Sequence, residues 1–185
     1  MSLFDDDLVE NNEVFYKMLK EQEFMASCLS AGAIVVECDD PKAFISRLEE
    51  MVSPKTLIIG TDVEAEMLRK QQGRPIVKWD ARTFKRYDAK GSMHVLSKRS
   101  DKPIVIIENI TDIPEKTSDI YDDPVEIENT LLHSWKNDIL RFNSERFGSF
   151  QLNRMDYTVI FPVPKGSLGN LRYRLDDGIG SIIEE

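Results

Sequence analysis

Few side chains in this sequence are placed by type and spacing to do chemistry, and the clearest are Glu108 and Asn109. They follow directly on Ile104-Val-Ile-Ile107. Four consecutive β-branched residues cannot alternate between core and solvent, so they suit a strand buried on both faces of a parallel sheet. Open α/β sheets bind ligands beyond the carboxyl ends of such strands. A carboxylate there would serve as a metal ligand or as a base activating water. The competing role for Glu108 is a strand-end group that caps an N–H or faces water. A second concentration of functional types lies between Lys78 and Lys102, where Lys78, Arg82, Lys85, Arg86 and Lys90 are interleaved with Trp79, Phe84 and Tyr87. Cations neutralise phosphates and aromatic rings stack on bases, which makes these residues the candidate nucleic-acid contact. Alternatively, Trp79 and Phe84 belong to the core and the cations form a solvated face.

Other chemistries lack their residues. The only histidines are His94 and His133 and the only cysteines Cys28 and Cys38, with no Cys-x-x-Cys or His-x-x-x-His spacing, so no metal site is expected. There is no Gly-x-Ser-x-Gly elbow. Both cysteines sit beside apolar residues and read as small hydrophobes in a reducing compartment. The 185 residues carry a formal charge of −9, which opposes general attraction to nucleic acid without excluding a local basic face. No run approaches the ~20 apolar residues that span a bilayer, and the opening MSLFDDDL lacks the order of a secretory signal. A cytoplasmic protein with no membrane partner is the expectation.

The elements that must position these residues alternate. Apolar spacing through Leu8, Phe15, Met18, Leu19, Met25 and Leu29 predicts an N-terminal helical segment over 1–31, with Asp5-Asp6-Asp7 at its positive end. Residues 32–185 then form the expected α/β core, and the length suits a single compact domain. Ala33 to Glu37 reads as a first central strand, and Asp40 as the N-cap of a helix from Lys42 to Met51 with Pro41 at its first position. Thr56–Ile59 is the expected next strand, followed by a helix over 62–72, a weak strand at Pro75–Lys78 and a short helix over 92–100. Beyond the 104–107 strand, 125–147 has helical spacing, and Met155–Phe161 is a last strand stopped by Pro162 and Pro164. The expected fold is a three-layer α/β/α sandwich with a mostly parallel sheet.

In this order the pieces of residues 32–185 resemble the core of an AAA+ ATPase, a P-loop NTPase family that includes clamp-loader subunits and helicase loaders. Ile34-Val-Val-Glu37 and its helix fall where the phosphate-binding loop would be, Ile104 to Asn109 resembles a Walker B strand, and Tyr157 to Phe161 a sensor-1 strand. The resemblance implies that Lys42 holds the place of the phosphate-binding lysine, that Glu108 and Asn109 hold the catalytic acidic positions, and that Arg172 and Arg174 in Leu171-Arg-Tyr-Arg-Leu-Asp176 are candidates for an arginine finger.

The departures are chemical. A phosphate loop needs glycines to wrap the anion in backbone N–H groups and a Ser/Thr to hold magnesium. Here the turn is Glu37-Cys-Asp-Asp-Pro-Lys-Ala43, with no glycine, two aspartates and an alanine. The Walker B-like strand ends Glu-Asn, and Pro162 stands where a polar sensor is expected. These departures imply a catalytically inactive AAA+-like subunit without a cofactor, assembling with protein partners such as other AAA+ subunits; the resemblance implies a role in DNA replication or transactions. An active ATPase using ATP and magnesium through a divergent loop is the alternative, and a nucleic-acid-binding accessory the third.

Overall fold

The computed structural model describes residues 3–30, 32–83, 86–112, 139–169 and 181–184. In chain order these are helix α1 (Leu3–Ser30), strand β1 (Ala33–Cys38), helices α2 (Pro41–Val52) and α3 (Asp62–Gln71), strand β2 (Ile76–Asp80), helix α4 (Arg86–Ser97), strand β3 (Ile104–Glu108), strands β4 (Ile139–Ser144) and β5 (Gly148–Asn153), β6 (Thr158–Pro164) and β7 (Ser181–Glu184). Five strands form one sheet in the order β2-β3-β6-β1-β7, and every pairing in it is parallel. β4 and β5 form a separate antiparallel hairpin.

The continuous apolar runs are buried on both faces, as their lack of alternation requires. Ile34, Val36, Ile104, Ile106 and Ile160 point to a core layer with Met25 and Leu29 of α1, Phe44 and Leu48 of α2, and Leu68 of α3. Val35, Val105, Ile107, Val159 and Phe161 point the other way, onto Met93 and Leu96 of α4 and Leu140 and Leu152 of the hairpin. Helices therefore cover both faces of a parallel sheet, the arrangement that two-sided hydrophobic strands need. α2 starts as its sequence directs, with Asp40 as N-cap and Pro41 in the first turn. α3 starts with a capping box between Thr61 and Glu64.

Several sequence expectations are corrected. Residues 56–59 form no strand and join no sheet. Both flanks of β1 are occupied by β6 and β7, and Gln22 of α1 supplies the bonds a neighbouring strand would have made. Its Nε2 donates to Leu57 O at 3.1 Å and its Oε1 accepts from Ile59 N at 2.9 Å. The helical spacing over 125–147 is wrong for its last part, because Ile139–Ser144 is a strand whose Leu140 is buried in the core with Leu152, with Phe142 and Phe150 packed against it. Phe142 stacks on its cross-strand partner Phe150 at 5.1 Å. Residues 125–138 lie outside the described residues. The first half of α1 departs from the amphipathic reading too, since Phe15 and Met18 are exposed together with Val14 and Tyr16.

Nor do the prolines stop β6. Val36 pairs with Pro162 and Cys38 with Pro164. Thr158 N donates to Pro103 O on the β3 side, while Val159 N and Lys165 N donate to Gly32 O and Cys38 O on the β1 side. Even-numbered amides of β6 thus face β3, and the pairing with β3 ends at Ile106 and Ile160. Pro162 and Pro164 lie on the β3 side beyond the last paired residues, so their missing N–H groups remove no bond from the β3–β6 ladder that forms. β7 adds an edge strand beside β1. No helix among the described residues is long and apolar enough to cross a membrane.

Candidate functional site

The carboxyl edge of the sheet gathers Asp39 and Asp40 after β1, Asp80 at the end of β2, Glu108 and Asn109 at the end of β3, Lys165 after β6 and Glu184 on β7. It divides into two clusters, separated by the end of β6.

The first cluster is the turn after β1. Asp40 Oδ1 accepts from Lys42 N at 3.1 Å and Ala43 N at 3.3 Å, and its carbonyl accepts from Phe44 N at 3.0 Å. The free amides of a helix start are the groups with which such a turn holds an anion. Here the chain's own carboxylate engages them, and Lys42 is the second residue of α2, at the mouth of that cap. Beside it Lys165 Nζ lies 3.4 Å from Asp39 Oδ1 and 3.7 Å from Glu184 Oε1, tying the ends of β1, β6 and β7 together by charge.

The second cluster joins β2 to β3. In the ladder Asp80 stands opposite Glu108. Asp80 Oδ1 accepts from Arg82 N at 3.0 Å, Arg82 Nε at 3.1 Å and Asn109 Nδ2 at 3.1 Å, while Oδ2 accepts from Arg82 Nη2 at 2.8 Å. The Arg82 guanidinium, chiefly, holds the Asp80 carboxyl well below its usual range, at about 2. Asn109 has φ +58°, a left-handed conformation that asparagine adopts more readily than most residues. Its carbonyl accepts from Asp112 N at 3.0 Å, which closes the turn Ile110–Asp112.

Of the residues singled out by sequence, Glu108 and Asn109 therefore share this cluster, while Lys42 belongs to the first. Lys78 pairs with Glu49 of α2 at 2.9 Å, and Arg82 with Asp80. Lys90 lies on α4, against the opposite face of the sheet. Arg86 opens the same helix, and Lys85, Arg172 and Arg174 lie outside the described residues. The basic segment is thus not one patch. It runs from Lys78 and Arg82 at the carboxyl edge back along α4 to Lys98 and Lys102 at the amino edge. Asp80 was not recognised from sequence, although Trp79-Asp80 ends an apolar run just as Ile107-Glu108 does. Among the described residues no cluster of His, Cys, Asp and Glu has the form of a metal site. Neither a protein-family model nor a curated protein matches the chain.

Proposed function

We propose that this chain is a catalytically inactive AAA+-like domain that works as an assembly subunit through protein contacts. The observation that carries the reading is the Asp40 cap: its carboxylate engages the Lys42 and Ala43 amides, the groups a triphosphate would need. A bound triphosphate would have to displace a covalently tethered anion and lie beside Asp39 as well, against like charge. Asn109 and Asp80 are likewise committed to each other and to Arg82, which leaves Glu108 as the one strand-end acid of β3. The sensor-1-like strand β6 between β1 and β3 supports the family reading, because it puts the three corresponding strand ends on one edge.

Exposed apolar side chains on α1 support the reading, Val14, Phe15, Tyr16 and Met18 being 58%, 45%, 64% and 38% exposed. Adjacent large apolar side chains left in water are characteristic of protein-binding surfaces. Leu57 and Met18 also line one cleft of about 200 Å³ between α1 and α2. Calorimetric titration with magnesium and ATP tests the proposal. No saturable heat is expected, whereas a micromolar dissociation constant weakened by Lys42→Ala would overturn it in favour of an active ATPase.

A further inference from the structure

The opposite edge of the sheet is built differently. A concavity of about 530 Å³ opens there, lined by Lys70 in the last turn of α3, Arg74 after it, Lys102 before β3, and Arg154 and Tyr157 before β6, with no aspartate or glutamate in its lining. In a chain with 33 acidic against 24 basic residues, a cavity with only cations for its charged groups runs against composition. Its volume falls within the roughly 300–1,000 Å³ typical of small-molecule sites.

Arg74 is the centre of the site. Its Nη2 donates to Pro103 O at 3.3 Å and to Thr158 Oγ1 at 3.1 Å, its Nε to Lys102 O and its Nη1 to Gln71 Oε1. Every one of these acceptors is neutral. The bonds fix the plane of the guanidinium and consume four of its five hydrogens, leaving one on Nη1 and the full positive charge. Burial lowers its pKa, as expected of a cation drawn out of water. Among the described residues, none of the ion pairs of the molecule involves Lys70, Arg74 or Lys102.

Lys102 also takes φ +49°, which few residues other than glycine, asparagine or aspartate adopt. Its carbonyl is held there by Arg74. An oriented, half-buried cation without an acidic partner among the described residues, flanked by a second cation on a strained backbone, is a preformed half of an ion pair.

We propose that this cavity binds a small phosphate-bearing anion, with Arg74 as the fixed charge and Lys70 and Lys102 closing on the ligand from the exposed rim. The inference does not depend on the AAA+-like reading, since it concerns the other edge of the sheet. Calorimetry at low salt with inorganic phosphate, pyrophosphate and a nucleoside monophosphate tests it. Because Arg74 also links α3 to the starts of β3 and β6, the informative variant is Lys70→Ala/Lys102→Ala, which removes only exposed side chains. Pyrophosphate is expected to give saturable binding that weakens about tenfold or more in this variant and is unchanged in Lys17→Ala/Lys20→Ala on α1. Absence of heat with all three anions would overturn the proposal, as would binding indifferent to the Lys70/Lys102 pair. Binding of a labelled single strand, with a log–log salt slope near −0.7 per phosphate and no response to the small anions, would also overturn it and make this edge a nucleic-acid track.

Discussion

Asp80 and Asn109 meet across the ends of neighbouring strands, the Asn109 amide donating to Asp80 Oδ1 at 3.1 Å. The same carboxylate oxygen accepts from Arg82, so one side chain from β2 fixes both the arginine two residues on and the turn that follows β3. The carboxyl edge therefore depends on the charge of Asp80.

Acid should expose that dependence. The Asp80 carboxyl is depressed from 3.8 to about 2 in the fold, so its contribution is present above the unfolded value and is lost as pH falls from about 4 towards 2. Urea midpoints measured across that interval should drop less steeply in Asp80→Asn than in the parent. Identical slopes would mean that the Arg82 pairing adds nothing to stability.

Removal of the Asp40 cap should cost about 1 kcal/mol, within the ~0.5–2 kcal/mol typical of N-cap losses. Asp40→Ala, followed by urea denaturation, reads the cost directly, and Asp40→Asn should recover most of it.

Gln22 is 2% exposed and serves residues 57 and 59 with both ends of its amide. Gln22→Leu strands a backbone N–H and a carbonyl and should destabilise by about 1–3 kcal/mol. Amide exchange at Ile59 should accelerate in the variant more than exchange in β1 does.

Ile106 is fully buried in the centre of the sheet and pairs with Ile160. Ile106→Asp should leave no folded protein, because a buried unpaired carboxylate costs several kcal/mol against a total stability of ~5–15 kcal/mol. Glu108→Gln, at the end of the same strand, should melt within about 0.5 kcal/mol of the parent. Circular dichroism melts of the two variants check both outcomes.

Burial raises the thiol pKa of Cys28 to about 12 and that of Cys38 to about 11. Neither should form appreciable thiolate at neutral pH, and the thiolate is the reactive form. A thiol-specific reagent should label both cysteines only as fast as the protein unfolds; rapid labelling of the native state would contradict their placement.

What the sequence disclosed was what local chemistry decides. The run Ile104–Ile107 has no polar position to turn outward, and Asp40-Pro41 can hardly do anything other than open a helix. Those elements follow the expectation closely. The failures occur where a distant partner decides. Thr56–Ile59 has the composition of a strand, but Gln22, more than thirty residues earlier in the chain, satisfies its backbone outside the sheet. Leu140 and Phe142 fit either a helix or one face of a strand, and only pairing with Phe150 and Leu152 selects the strand. At the candidate site, Glu108 and Asn109 were legible because they end an unmistakable run. Asp80 was not, since its importance comes from standing beside Glu108 once β2 pairs with β3. Arg74 sits in no motif; its acceptors are two backbone carbonyls, one amide oxygen and one hydroxyl, from the end of α3 and the residues that lead into β3 and open β6.

The two prolines of β6 have a mechanical outcome. β3 and β6 are zipped through Ile106 and Ile160, and beyond that point β6 offers no hydrogen with which to continue. The notch between the two strands is therefore written into the covalent chain, and fluctuations cannot anneal it shut. A partner segment entering beside Glu108 would find a mouth that stays open, with one wall unable to donate to it. Such a wall admits side chains and offers no hydrogen bond to an added backbone.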